Sequence, residues 1–386
     1  MTAATRWAWA EIDLEAIEHN VRVIRERVAP SAVWAVVKAD GYGHGAVDVS
    51  RAAIAGGAEG LAVALVDEGI ELREAGIEGP ILLLSEQPPD TAGHIVDNRL
   101  TPTVYTTGFV DSLAAAGARG LPVHLKIDTG MHRVGAHPDD ARALVTAIAG
   151  HGDRLRLAGI LTHLAVADDP TDDFTREQLR VFDAVLSELP AEARDDVLIH
   201  AANSAGALAH PNARRSFVRA GIAIYGISPG PGVAEHAVEL RPAMTVRTLV
   251  SHVKRVPLGS RVSYGLRHRF GSDTTLVTIP VGYADGVPRR LSEVGGEVLI
   301  GGRRRPIVGA VTMDQLMVDA GDDDIRVGEE VVLIGEQAGP GGTDRIRAEE
   351  WADRLGTIGY EIVCGISARM PRVPRTPGAP GRNIEP

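Results

Sequence analysis

A lysine that ends an apolar run and leads straight into a glycine-rich stretch is placed to do carbonyl chemistry. Lys38 closes the run Ala32–Val37 and is followed by Ala39-Asp-Gly-Tyr-Gly-His-Gly45. At the C-terminal end of a barrel strand such an amine lies on the face where barrel active sites form. Partial desolvation there lowers its pKa and suits it to a Schiff base. The same spacing also fits a lysine that caps a strand with its head in water. A second group could receive a phosphate. Asn203-Ser204 and Ala220-Gly221-Ile222 follow the last two of eight β-like runs and offer an amide, a hydroxyl and unobstructed backbone N–H groups. Serine and glycine in such loops are also ordinary turn formers.

The elements that must carry these residues can be read from the pattern. Eight short apolar runs lie between about Leu14 and Tyr225: Ala32–Val37, Gly60–Leu65, Ile81–Leu84, Pro102–Tyr105, Val123–Ile127, Leu157–Leu161, Val197–His200 and Phe217–Arg219. Amphipathic stretches such as Asp67–Glu74, Asp139–Ile148 and Asp173–Leu186 alternate with them. Eight strands separated by helices point to an α/β fold, a parallel (β/α)8 barrel of the TIM type. An open doubly wound sheet is the competing arrangement. Asp13 is a plausible N-cap for a first helix, Leu14–Val28. After Ser228-Pro-Gly-Pro-Gly-Val the pattern changes to longer β-like stretches: Ala243–Val256, Thr275–Val281, Glu297–Ile300, Pro306–Val311 and Glu330–Ile334. One helical piece, Arg347–Leu355, and the run Tyr360–Ile366 follow. The expected division is therefore 14–235 as the barrel and 236–372 as a mainly β domain. Residues 1–13 would lend that domain a strand through Trp7–Ile12, and 373–386 would form a disordered tail.

Composition narrows the function. The 386 residues carry 40 Lys plus Arg against 51 Asp plus Glu, a net charge of -11. That balance argues against nucleic acid or an anionic membrane surface as the main partner. A small anionic cofactor remains compatible, since one phosphate needs only a few local donors. One cysteine, Cys364, excludes an intrachain disulfide and fits a cytoplasmic protein. No window approaches a membrane span and nothing in the sequence calls for a metal.

The segment Val33–Gly45 resembles the pyridoxal-lysine motif of alanine racemases. The resemblance recurs in order from about Trp9 to Pro371. It takes in His124-Leu-Lys-Ile-Asp-Thr-Gly-Met-His-Arg133, Thr162-His163, His200-Ala-Ala-Asn-Ser204 and Val218-Arg-Ala-Gly-Ile-Ala-Ile-Tyr225. Later come Val262-Ser-Tyr-Gly265, Val281-Gly-Tyr-Ala-Asp-Gly286, Met313-Asp-Gln315 and Thr357-Ile-Gly-Tyr-Glu361. The resemblance implies pyridoxal 5'-phosphate held by Lys38. Its phosphate would be held by Tyr42, Asn203, Ser204, Gly221, Ile222 and Tyr360. It implies His163 stacked on the cofactor ring and Arg219 against the pyridine nitrogen, where many pyridoxal enzymes place a carboxylate. A guanidinium keeps its proton, so the ring becomes a weaker electron sink and transamination is suppressed.

For the proton transfers, the resemblance implies Lys38 on the D-specific face of the substrate Cα and Tyr264, from a second subunit, on the other. A free tyrosine titrates near ~10, so the surroundings of Tyr264 must lower that value for it to act as a base. Arg133 would fix the substrate carboxylate and Met313 would offer its backbone N–H. Lys126 matches a position that is carbamylated in many family members. The implied protein is a homodimer with shared active sites that interconverts L- and D-alanine and supplies D-alanine for peptidoglycan.

Two positions depart from the family pattern: Ala310 stands where relatives commonly have an arginine of the substrate approach, and Thr312 replaces a cysteine. A basic amino-acid decarboxylase of related fold is the nearest competing reading, and Arg219 with the Val-Ser-Tyr-Gly tyrosine argues against it. A non-catalytic pyridoxal-phosphate carrier would leave the second domain unexplained. A broad-specificity racemase would be expected to carry a secretion signal.

Overall fold

Apolar runs buried on both faces build the first part of the molecule. The computed structural model describes residues 6–194 and 196–375. In chain order β1 (Ala8–Ile12) precedes the runs that form β2 (Ala32–Val36), β3 (Gly60–Val63), β4 (Ile81–Leu83), β5 (Thr103–Val104), β6 (Leu121–Lys126), β7 (Leu155–Leu161), β8 (Leu198–His200) and β9 (Phe217–Ala220). Strands β2 to β9 form two parallel arcs, ordered β4-β3-β2-β9 and β5-β6-β7-β8. The arcs close on each other. Leu82 bridges Thr101 in parallel on one side, and Ser216 N–H donates to the Ile199 carbonyl (2.8 Å) on the other. The result is a closed (β/α)8 barrel rather than an open doubly wound sheet.

The interior is packed, not hollow. Trp34 stacks on Phe217 (4.4 Å, 18°), and Phe217 stacks on His200 (4.1 Å, 24°). Two glycines make room for this column. A Cβ on Gly60 would come to 2.6 Å from the Trp34 ring, and one on Gly159 to 2.5 Å from His124 Nδ1. The outer helices bury one stripe each. Helix Leu14–Val28 buries Ile17, Val21, Ile24 and Val28, and helix Phe174–Glu188 buries Thr175, Gln178, Leu179, Phe182 and Val185, the spacings expected of a 3.6-residue period.

The second unit comprises the segment up to Leu14 and the chain from Pro242 onward, while Glu15–Arg241 forms the barrel unit. The change of unit thus falls later than the Pro-Gly run suggested. The reason is local: Pro231–Ala237 folds as a 3-10 turn within the barrel unit, with Arg27 Nη1 donating to the His236 carbonyl. The β unit contains β10 (Met244–Leu249), β11 (His252–Val256), β12 (Arg261–Val262), β13 (His268–Arg269), β14 (Thr274–Ile279), β15 (Glu297–Ile300), β16 (Arg303–Val308), β17 (Leu316–Asp319), β18 (Glu330–Gly339), β19 (Gly342–Ile346) and β20 (Arg372–Pro374). The main sheet runs β11-β14-β17-β16-β15-β18-β10-β1-β20, with β19 paired to β18 and β12 paired to β13.

Several expectations need correction here. The continuous stretch Ala243–Val256 is two strands. Val250 N–H donates to Glu329 O (2.9 Å) and Ser251 N–H to Thr278 O (2.9 Å), so the chain changes partner between those residues. The run Tyr360–Ile366 lies in helix Gly359–Gly365. Residues 373–374, assigned to a tail, extend β20, which pairs in parallel with β1. Arg375 follows, its N–H donating to Ile12 O (2.8 Å), and 376–386 lie outside the described residues. Strand β1 also pairs antiparallel with β10, from Ala8 opposite Thr248 to Ile12 opposite Met244. Asp13, at the start of the first helix, forms an ion pair with Arg375 (2.7 Å) within the β unit. Among the described residues no helix is long and apolar enough to cross a membrane.

Candidate active site

The site in the barrel starts from an unusual backbone. Directly after Lys38, Ala39, Asp40, Gly41 and Tyr42 all adopt left-handed helical torsions, with φ of 53, 52, 59 and 51°. For L-residues this conformation is unfavourable, and runs of it are not expected. Hydrogen bonds hold it: Ala39 N–H donates to Glu68 Oε1 (2.6 Å), Ala46 N–H to Asp40 Oδ1 (2.9 Å), and Gly41 N–H to Val37 O (2.9 Å). The turn leaves Lys38 half-buried at the strand end and folds Tyr42 back into the barrel. There the Tyr42 ring packs on Tyr225 (4.9 Å), whose hydroxyl donates to Val36 O (3.0 Å).

Tyr42 Oη reaches the loop after β9. A Cβ on Gly221 would lie 2.5 Å from that oxygen, so only glycine admits the hydroxyl. Ser204 Oγ is on the same spot, accepting from Gly221 N–H (2.9 Å) and Ala223 N–H (3.4 Å) while its own proton can still be donated. Ile222 opens the 3-10 turn Ile222–Tyr225, whose first N–H groups have no carbonyl within the turn. Tyr42, Ser204, Gly221 and Ile222 thus converge as a cradle of donors with a notch in the backbone, and they fit a phosphate. Asn203 stands beside them in another role. Its Oδ1 caps helix Ser204–Ala209 through Gly206 N–H (2.9 Å), and its Nδ2 donates to Leu164 O (3.4 Å).

Arg219, on β9, is buried. It donates from Nη1 to His200 Nδ1 (2.7 Å), and the two hydrogens of Nη2 are shared among Thr162 O (2.8 Å), Ala201 O (3.0 Å) and His163 Nδ1 (3.2 Å). A guanidinium only donates, so both imidazoles accept at Nδ1 and carry their proton at Nε2. His200 Nε2 then donates to His124 Nδ1 (2.9 Å), which fixes the same tautomer there. Burial, then the Arg219 charge, drives the His124 pKa down to about 3, and the same two causes hold His163 and His200 well below the usual imidazole range. All three are neutral at pH 7. Burial also lowers Arg219, to about 9, which leaves it protonated.

Lys126 lies on β6 two residues after His124, hence on the same face of the strand. It is buried, and desolvation followed by the charges of Arg219 and Arg133 lowers its pKa to about 8. Arg133 is exposed on the following loop. That loop is shaped by Asp128, whose Oδ1 accepts from Gly130 N–H and His132 N–H, both at 3.0 Å.

In the β unit, Tyr264 is 75% exposed on a turn in which Ser263, Gly265 and Leu266 have φ of 63, 75 and 47°. Ser263 Oγ donates to Ala310 O (2.7 Å), so the position that departs from the family supports this turn through its carbonyl. With no long side chain at 310, Ala310 lines a cavity of about 300 Å³ with Tyr264, Arg267 and Arg289. Met313 is 52% exposed, and Tyr360 is half-buried near the start of helix Gly359–Gly365.

Sequence reasoning did not single out His124 and His200 as partners of Arg219, although both lie in quoted motifs. The two-residue spacing from His124 to Lys126 was the usable signal. It also missed Gln178, buried on helix Phe174–Glu188. Gln178 donates to His163 O (3.0 Å) and Thr129 Oγ1 (3.2 Å) and accepts from Ala165 N–H (2.8 Å).

A barrel carrying a lysine, a donor cradle and a buried arginine, linked in one chain to a mainly antiparallel β domain that displays a tyrosine, is the architecture of an amino-acid racemase. The models of the alanine racemase N-terminal and C-terminal domains match residues 12–229 and 243–374. The chain is 46% identical to the alanine racemase of Symbiobacterium thermophilum over 95% of its own length and 97% of the relative's. It is 42% identical to that of Thermobifida fusca over 95% and 98%. Among solved structures, the Bacillus anthracis alanine racemase with bound L-Ala-P superposes with a TM-score of 0.88 at 36% identity, covering 97% of this chain and 96% of that one. The Streptomyces coelicolor A3(2) enzyme does so with a TM-score of 0.87 at 40% identity, covering 95% and 97%. The chain belongs to the alanine racemase family, a family of amino-acid isomerases.

Proposed function

We propose that this chain interconverts L- and D-alanine with pyridoxal 5'-phosphate as cofactor, working as a homodimer with shared active sites and supplying D-alanine for peptidoglycan. The observation that carries the reading is the meeting of Tyr42, Ser204 and Gly221 at a backbone notch, in the same barrel as Lys38 and a buried arginine. Tyr42 and Ser204 hydroxyls and the Ile222 N–H would hold the phosphate. Asn203 would act through its helix cap, keeping Ser204 in place. Tyr360 would add a further hydroxyl. His163 would lie against the cofactor ring, kept neutral by burial and then by the Arg219 charge.

The bound cofactor supplies a sink for the electron pair left when the Cα proton departs. The Arg219 guanidinium would face the ring nitrogen; its bonds to His200, His163 and two carbonyls hold it against rotation, and it keeps its proton. Lys38 Nζ takes or returns a proton on one face of Cα, and Tyr264 Oη of the second subunit does so on the other. Arg133 and the Met313 N–H orient the carboxylate. Lys126, with its pKa lowered to about 8, has a larger neutral fraction at pH 7 than an ordinary lysine. It is thereby disposed to add CO2, releasing a proton and forming a carbamate that meets Arg133. Incubating pure L-alanine with the cofactor-loaded protein and resolving the product by chiral chromatography tests the reading; an unchanged L-alanine peak rejects it.

A further inference from the structure

In the β unit a carboxylate with no surface exposure lies beneath the segment that carries Met313. Asp285 is 0% exposed and closes the turn Tyr283–Asp285, its Oδ2 accepting from Gly282 N–H (2.9 Å). Arg6 Nη2 stands 2.6 Å from its Oδ1 and Arg369 Nε 3.5 Å from the same atom. Both arginines are tied elsewhere as well. Arg6 Nη1 donates to Arg369 O (2.8 Å), and Arg369 Nη2 donates to Asp314 Oδ1 (2.8 Å), the residue after Met313.

The turn above this carboxylate presses on the Met313 backbone. Tyr283 N–H donates to Thr312 O (2.9 Å) and Ala284 N–H to Met313 O (3.0 Å). A Cβ on Gly282 would fall 2.2 Å from Thr312 O and 2.4 Å from Met313 O, so the two strands of backbone touch with nothing between them. Ser367 completes the frame, with its N–H on Asp285 O (3.1 Å) and its hydroxyl on Ala284 O (2.8 Å). Moving Asp285 therefore moves Gly282–Ala284, and with them residues 312–314.

We infer that Asp285, clasped by Arg6 and Arg369, is a positioning residue that sets the Met313 backbone for substrate, an inference that rests on Met313 meeting the substrate as proposed above. An amide at 285 has the same shape but cannot serve both sides. Its oxygen can face Gly282 N–H or the arginines, and its NH2 then confronts the other donors.

Asp285→Asn and Arg6→Gln test this in the full-length, cofactor-loaded enzyme, with Arg6→Lys as the conservative partner. Hydrogen–deuterium exchange in the peptide spanning 310–315 should rise about tenfold in Asp285→Asn and less in Arg6→Gln. The KM for alanine should rise about fivefold while kcat changes less than about twofold, and Arg6→Lys should restore most of the loss. Wild-type exchange in 310–315 together with wild-type KM would overturn the inference. So would a fall in kcat at unchanged KM. If Asp285→Asn fails to fold, Arg6→Gln carries the same decision. If the wild-type protein has no racemase activity, the proposed function fails and the exchange measurement alone still decides whether Asp285 holds the loop.

Discussion

The barrel and the β domain handle their polar groups in opposite ways. Around Lys38 the barrel sinks its ionisable side chains: Arg219, His124, His200 and Lys126 are all buried, and each is shifted toward its neutral form by loss of water. The donors and acceptors of Arg219, His200, His124 and His163 are matched to one another over 2.7–3.2 Å, which leaves little freedom of rotamer or tautomer. Apart from the buried Asp285, the β domain keeps its most heavily paired charges at half-exposed sites. Arg304 meets Glu350 (2.6 Å), Asp344 (2.9 Å) and Glu297 (3.2 Å), and these pairs hold its proton more firmly than usual. Its candidate chemistry, Tyr264 and Met313, is displayed on exposed turns rather than enclosed. The contrast shows one half of the proposed machinery finished within a single barrel and another half presented outward. The shared site of the proposed homodimer would use both.

The comparison breaks most sharply if one chain can do everything. Lys38→Ala and Tyr264→Phe homodimers should each lose at least ~10³-fold in racemisation, since each removes one of the two proton carriers. Subunits exchanged between the two variants should regain roughly a quarter of wild-type turnover, because half the dimers are mixed and each mixed dimer has one intact site of two. Differently tagged chains would prove exchange. Exchange without recovery would place both residues in one chain's site.

A smaller effect is expected from altering the sunken cation. Arg219→Glu should lower racemisation about a hundredfold while slow transamination appears, because a carboxylate keeps the ring nitrogen protonated and strengthens the sink. Keto-acid formation assayed alongside racemisation checks this, and a variant with normal turnover and no keto acid removes Arg219 from the chemistry.

The cradle gives a finer test. Gly221→Ala would push its methyl toward Tyr42 Oη, to 2.5 Å before any relaxation. Cofactor dissociation should rise about tenfold, equivalent to ~1.4 kcal/mol, measured by equilibrium dialysis followed by absorbance. Unaltered affinity would mean that Tyr42 has no part in holding the phosphate.

The effect that vanishes at neutral pH distinguishes the two regions by acid. An unfolded histidine binds a proton below about pH 6.5, whereas folded His124 resists until about pH 3. Between those values the unfolded chain holds more protons. Stability from this residue is therefore fully present above the unfolded value and is lost as pH falls below it, by up to ~1.4 kcal/mol per pH unit. His163 and His200 act in the same direction. Thermal melts at successively lower pH should show the barrel weakening from near pH 6.5 downward. A His124→Asn chain that keeps its fold should show a shallower slope, and equal slopes would mean that His124 is not the group responsible.

Much of the barrel was legible because its strands are short apolar runs at regular intervals, which few other folds require. The candidate cluster was legible residue by residue wherever a motif was dense, as at Lys38 and Arg219. The arrangement between those residues was not. The Arg219–His200–His124 chain depends on how β6, β8 and β9 face one another across the barrel, and no local pattern states that. The left-handed turn after Lys38 was hidden for the opposite reason: Ala39, Asp40 and Tyr42 locally favour other conformations, and only bonds to Glu68 and within the loop outweigh that preference. The break of Ala243–Val256 into β10 and β11 was invisible because the apolar run does not pause where the strand changes partner.

The left-handed turn also bears on how such a chain responds to selection for heat tolerance. Three non-glycine residues there occupy torsions that cost roughly 1–2 kcal/mol each relative to the right-handed region. A replacement such as Ala39→Gly relieves part of that cost, so a screen that scores survival alone will drift toward it. The same replacement frees the backbone next to Lys38 to visit conformations in which the amine points elsewhere. Heat-selected lineages should therefore accumulate glycine between 39 and 42 together with slower turnover, and lineages selected for turnover should resist glycine there even as they lose thermal margin.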